Sequence, residues 1–215
     1  GGTRKADELS GGLIAVQDWY APSLTSDTEA GLGEWQVGEV VQLLKHGVTD
    51  RFAVFGPMAE VVHDSTQHLA EDDLRAMAIY LKSLPPKASD DAPAMVTTAA
   101  MRVDLLGRGA QVYVEQCAGC HRESGEGVAR AYPALARNPG VIMASTINSI
   151  RVVLNGGFAP GTGGNPRPFG MPPFAQKLSD DDIASVLTYV RNSWGNKAPA
   201  VAPADVQRYR SVPIE

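Results

Sequence analysis

The chain has few cysteines, no basic excess and no long apolar run, and each shortage excludes something. Its 215 residues hold two cysteines, Cys117 and Cys120. A pair so close together cannot build the disulfide framework of a small secreted fold. No run of about 18 or more apolar residues occurs, so no segment reads as a membrane-spanning helix. No basic stretch followed by an apolar one opens the chain, so no signal peptide is read. Lysine and arginine number 19 against 24 acids, giving a formal net charge of −5 and a pI near 5.4. That balance is a poor match to a nucleic-acid binder, and none is expected as a partner.

Glycine and proline, by contrast, are abundant, at 22 and 15 residues. Much of the chain is therefore loop, and something other than helix or sheet ladders must hold it. Hydrophobic residues make up 44% and charged residues 20%, which is enough apolar material for a core and excludes wholesale disorder. The length fits one or two domains of roughly 100–200 residues each. The chain opens Gly1-Gly2-Thr3 rather than with Met. Either a leader has been removed or the chain is a piece of something longer.

Residues 1–33 read as ordered loop carrying Trp19 and Tyr20. The spacing of Val37, Val40, Val41 and Leu44 predicts a helix from near Gln36, stopped by Gly47. Gly56-Pro57 marks a turn. A second helix is predicted from Ala70 to Leu84, with Glu71, Asp72 and Asp73 in its first turn and Pro85-Pro86 ending it. Residues 85–101 read as a Pro/Ala-rich linker. A helix is expected from near Asp104 through Cys117, and another over Thr146 to Leu154. The last predicted helix, Ser179 to Trp194, opens with a capping-box variant formed by Ser179 and Asp182. Residues 197–215 are expected to be a surface tail.

The two halves repeat a pattern. Asp72-Asp73-Leu74 and Tyr80 align with Asp181-Asp182-Ile183 and Tyr189 at one offset, and Leu44-Lys45-His46-Gly47 resembles Leu154-Asn155-Gly156-Gly157. Phe55-Gly56-Pro57-Met58 likewise resembles Phe169-Gly170-Met171-Pro172. A helix, a Gly/Pro loop carrying Met and an acid-opened helix occur twice. The bland alternative is that two amphipathic helices look alike by chance.

The sharpest motif is Cys117-Ala118-Gly119-Cys120-His121. C-x-x-C-H is the c-type haem attachment pattern: two thiols add to two vinyl groups, and the next residue offers its imidazole to the iron. A zinc site would need two more ligands, and His63 and His68 lie far off in the other half. A thioredoxin-like dithiol normally follows a strand, and no strand pattern precedes the motif. The second axial ligand is expected to be Met171, in the Gly/Pro loop Phe169–Phe174, because a loop ligand can reach across a haem face. Met143, in the apolar run Val141–Ala144, is expected to fill core.

From Asp104 to Trp194 the chain resembles a class I cytochrome c domain. Gly109, Tyr113 and Cys117 match the family's first helix, with Val186 and Tyr189 facing them from the last. The resemblance implies that Pro133 accepts a hydrogen bond from His121 Nδ1. A wider resemblance covers essentially the whole chain. Trp19–Leu24, Gly31–Trp35, Ala53–Val62 and Ala78–Pro85 look like the second haem unit of the triple-haem cytochrome c subunits of bacterial membrane-bound dehydrogenases. Leu154–Gly157, Met171–Phe174 and Ser193–Asn196 look like the third.

The expected fold is mostly α: a class I cytochrome c domain preceded by a second, incomplete cytochrome c-like unit. Residues 1–84 form the unit without its haem-attachment segment, 85–101 the linker, 102–196 the haem domain and 197–215 the tail. The resemblance implies electron transfer through haem c with His121/Met171 ligation, not catalysis. Electrons would pass from a flavin- or quinone-cofactor dehydrogenase subunit toward ubiquinone or another cytochrome in the respiratory chain. The expected location is the periplasm, peripheral on the inner membrane. A peroxidase-like or thiosulfate-oxidising haem enzyme, or a free monohaem carrier, are the alternatives. One departure stands out. The matching motif for Met58 would fall near residue 4 or earlier, and residues 1–20 hold no cysteine. The chain is expected to be a fragment. Met58 is then a candidate axial ligand of a second haem, or else a core or surface methionine.

Overall fold

The computed structural model describes residues 9–14, 17–27, 31–86 and 98–212. Residues 1–8 and most of the expected linker lie outside the described residues. Two short strands, β1 (Gly12–Ile14) and β2 (Trp19–Ala21), pair antiparallel with Leu13 opposite Tyr20. They stand within the stretch expected to be loop.

Helix α1 (Val37–His46) opens with a capping box in which Glu39 accepts from the Gln36 N–H at 2.9 Å. It ends where Gly47 turns left-handed and returns its N–H to the Leu43 carbonyl. Helix α2 (Pro57–Asp64) follows. The expected turn at Gly56-Pro57 is the start of this helix, because proline fits the first helical position, where its missing N–H is not needed. A 3-10 turn (Thr66–His68) leads to α3 (Glu71–Ser83), whose first turn carries Glu71, Asp72 and Asp73. Leu32, Val40, Val41, Leu74 and Ala78 bury one core between α1 and α3.

Helix α4 (Ala99–Gln116) starts inside the expected linker, because the Thr98 side chain caps it by accepting from the Met101 N–H. The single turn α5 (Ala118–His121), α6 (Pro139–Ile142) and α7 (Ile147–Asn155) follow. A minimal hairpin, β3 (Gly157–Phe158) with β4 (Gly170–Met171), precedes α8 (Asp180–Val190). Ser179 and Asp182 form the capping box of α8 as expected. The helix stops at Val190 rather than Trp194, and Trp194, at φ 53, folds back onto Tyr113 with ring centroids 4.9 Å apart.

Helices α4 and α8 cross at Gly109, where a Cβ would lie 2.2 Å from the Ser185 carbonyl oxygen and 2.7 Å from Tyr189 Cβ. Only glycine lets the backbones come this close. Val112, Tyr113, Val186 and Val190 fill the crossing, and Tyr113 meets Tyr189 at 5.6 Å. The expected surface tail instead forms α9 (Pro203–Arg210). Val201 and Val206 are fully buried against Ile150, Leu154, Ile183 and Leu187. Burying each such side chain is worth about 1.5–3 kcal/mol, enough to fold an Ala/Pro-rich segment inward. Arg210 fastens its end to Asp180 at 2.7 Å.

The halves are tied to one another. The Asn148 side chain exchanges two hydrogen bonds with the Tyr20 backbone, at 2.9 and 2.7 Å. Thr162 Oγ1 donates to the His46 carbonyl at 3.0 Å, and His63 Nδ1 donates to the Gly161 carbonyl at 2.7 Å. Among the described residues no helix is long and apolar enough to cross a membrane.

Candidate haem-binding site

Cys117 links α4 to α5, bonding its N–H to the Tyr113 carbonyl and its carbonyl to the His121 N–H, each at 2.9 Å. The backbone is helical across the junction, so Cys117 and Cys120, three residues apart, share one face. Both are free thiols, part-buried. Burial first, and Cys120 second, push the Cys117 thiol up to about 11. It stands as a neutral S–H, the group that adds across a vinyl double bond.

His121 is buried. Its Nδ1–H donates to the Pro133 carbonyl at 2.9 Å, so Nε2 is the nitrogen left for an iron. Burial pulls the imidazole below its ordinary pKa, opposed by the Pro133 bond. The ring is held neutral, in one tautomer and one orientation, as a metal ligand requires.

The Pro133 carbonyl is itself held by its surroundings. Gly127, at φ 68, donates to the His121 carbonyl at 3.0 Å. A Cβ there would strike the Tyr132 oxygen at 2.3 Å and the Pro133 oxygen at 2.8 Å. Leu135 and Ala136 both donate to the Gly125 carbonyl, at 2.7 and 2.9 Å. These glycines were missing from the sequence-based site, although Gly125-x-Gly127 so soon after the motif is a usable signal for tight backbone approach.

Met171 lies on β4 opposite Gly157. Its segment meets the histidine segment through Tyr132 and Phe169, whose ring centroids are 5.3 Å apart. Tyr132 directly precedes Pro133, and Phe169 stands two residues before Met171, so this aromatic pair joins the two loops. Arg130 adds a bond to the Gly164 carbonyl at 2.7 Å. Met143 is buried, its carbonyl accepting from Arg191 at 3.0 Å. Met58 sits in the first turn of α2, 38% exposed. Phe55, in the same segment, faces Gly157: a Cβ at Gly157 would lie 3.3 Å from its ring.

The donor set fits haem c. It has two free thiols on one helical face, an adjacent imidazole with a single nitrogen to spare, and a thioether on a braced hairpin. The amide nitrogen of Asn155, which ends α7 just before that hairpin, is buried with no partner among the described residues. A donor of that kind is what remains where a prosthetic group completes a core. Among the described residues no group of three or more His, Cys, Asp or Glu side chains could hold a metal ion.

Residues 106–194 match the family model for cytochrome c. The chain is 42% identical over 218 residues to the cytochrome c subunit of the quinone-type alcohol dehydrogenase of Gluconobacter oxydans (strain 621H), covering 98% of this chain and 45% of that one. It is 39% identical over 206 residues to the gluconate 2-dehydrogenase cytochrome c subunit of Pantoea cypripedii, covering 92% and 46%. Cytochrome c-552 of Thermus thermophilus is 35% identical over 94 residues, 41% of this chain and 69% of that protein. The chain spans about half the length of the two dehydrogenase subunits.

Proposed function

The chain belongs to the cytochrome c family, and on that footing we propose that it relays electrons through one haem c bound by Cys117 and Cys120. The haem, when bound, supplies a reversible one-electron iron centre. His121 offers Nε2 to it while Pro133 fixes the ring through Nδ1. Met171 would supply the thioether that completes the iron's ligand set, and a thioether ligand would raise the potential. Held by both His121 and Met171, the iron would have no place for a substrate, so the role we propose is electron transfer rather than catalysis. The observation that carries this reading is the His121–Pro133 bond, made by a histidine directly after two thiols on one helical face.

Residues 1–84 are read as a second cytochrome c-like unit whose attachment segment is not among them, with Met58 its candidate ligand. The approach of Phe55 to Gly157 supports a short path between the two methionine segments. The relatives' names support a dehydrogenase subunit as electron donor, which we read as flavin- or quinone-dependent. Ubiquinone or another cytochrome is the acceptor in this reading. Covalent attachment of haem outside the cytoplasm supports a periplasmic location, peripheral on the inner membrane.

A potentiometric titration of the haem-loaded chain tests the reading. One reversible one-electron transition, with no binding of added carbon monoxide or cyanide at low concentration, is expected. Ready binding of either ligand would show an open iron and favour a haem enzyme.

A further inference from the structure

The peptide group that holds His121 has a second hydrogen bond on its other end, and its partner comes from the other half of the chain. The Pro133 carbonyl accepts from His121 Nδ1 at 2.9 Å. The N–H of that same peptide unit belongs to Ala134, and it donates to the Arg51 carbonyl at 2.8 Å. Ala134 is 5% exposed, so the bond lies in a low-dielectric setting.

Arg51 stands in a tight turn between α1 and α2. The Thr49 side-chain oxygen accepts from the N–H groups of both Arg51 and Phe52, at 3.2 and 2.9 Å, and the Thr49 N–H returns to the Phe52 carbonyl at 2.8 Å. Thr49 and Phe52 are buried, and Phe52 packs on Trp35 with centroids 4.3 Å apart. The Arg51 guanidinium reaches the Arg137 carbonyl at 3.3 Å, on the far side of the same loop. The Arg51 carbonyl is therefore aimed by a braced turn, with contacts on both sides of Ala134.

A peptide that donates strongly through its N–H becomes a better acceptor at its carbonyl, because the two bonds polarise one another. A better acceptor at Nδ1 draws that proton further and makes Nε2 a more electron-rich ligand, which favours the oxidised iron. From this geometry we infer that the turn at residues 49–52 tunes the haem iron across the junction between the halves, through the chain Arg51 C=O, Ala134–Pro133 peptide and His121. Thr49 is the positioning residue of this relay, and it lowers the potential of the centre. The inference rests on the proposed ligation by His121.

The test uses the full chain with haem attached. Thr49→Val keeps the shape of the side chain and removes the acceptor that shapes the turn, while Thr49→Ser restores it. The potential is expected to rise in Thr49→Val and to return to the wild-type value in Thr49→Ser. Loosening alone would admit water, stabilise the oxidised charge and lower the potential, so the sign separates tuning from damage. A Thr49→Val potential equal to or below that of the wild type overturns the relay. A second measurement needs no variant: the Ala134 amide of the wild type should exchange slowly with solvent, and exchange as fast as an exposed loop amide overturns it too. Absence of covalent haem in the wild type would instead remove the proposed function on which the relay stands.

Discussion

The proposed ligand pair, His121 and Met171, rests on single side chains. Met171 is held where Gly157 pairs with it and where the Tyr132–Phe169 contact joins its segment to that of His121 and Pro133. Replacing Met171 with Ala should abolish the near-infrared sulfur-to-iron band of the oxidised protein and open the iron to added ligands, with the thioether-bound haem retained. An oxidised Met171→Ala protein that keeps the band would move the ligand to Met143 or Met58. The buried position of Met143 makes the first exchange costly, because its carbonyl is already bonded to a buried arginine. Arg191 itself is fully buried and donates to the carbonyls of Val141, Met143 and Pro199. Desolvation lowers its pKa to about 10, yet it stays charged at neutral pH.

Among the elements, the α4–α8 crossing and the cap of α8 both stabilise the C-terminal half. A side chain at position 109 must push against the Ser185 backbone, which cannot rotate away. Overpacking of this kind costs about 1–3 kcal/mol, so Gly109→Val should lower the melting temperature, as calorimetry would read. An unchanged melting temperature would contradict the close crossing. At the start of α8, hydrogen bonds from Ser179 first, and Arg108 besides, hold the Asp182 carboxyl below the ordinary aspartate range. A depressed folded-state pKa means that the unfolded chain binds the proton more readily. The stability from Asp182 is therefore complete above its ordinary value and is lost as the pH falls through the lower, folded value. Denaturant titrations in that acid window should show a shallower loss for Asp182→Asn than for the wild type, and parallel curves would remove the cap from the acid response. This cap was legible in the sequence because Ser179 and Asp182 act locally, as were the attachment motif and the glycine at the crossing. Helix α2 was not, since Gly56-Pro57 signals a turn and a helix start alike. Helix α9 was hidden by its Ala/Pro-rich setting, and only the burial of Val201 and Val206 against Ile183 and Leu187 shows why it folds. The bond from Ala134 to Arg51 joins backbone atoms, which no side-chain pattern reports.

Across the whole molecule, the two halves meet through Asn148 and Tyr20, Thr162 and His46, His63 and Gly161, and Ala134 and Arg51. Each such bond is worth about 0.5–1.5 kcal/mol net, so Asn148→Ala, which removes two, should make residues 1–84 more open to limited proteolysis. Unchanged cleavage would mean that the apolar contacts alone hold the halves. On the proposed function the junction matters because Phe55, three residues before Met58, faces Gly157, the residue paired with Met171. On that same proposal this chain binds one haem covalently through Cys117 and Cys120. Intact-mass measurement of the chain produced with haem-attachment machinery, followed by peptide mapping, tests it most directly. The expected mass is that of the polypeptide plus one haem, with the haem on the peptide that holds Cys117 and Cys120. The bare polypeptide mass, or a mass with two haems, would contradict it.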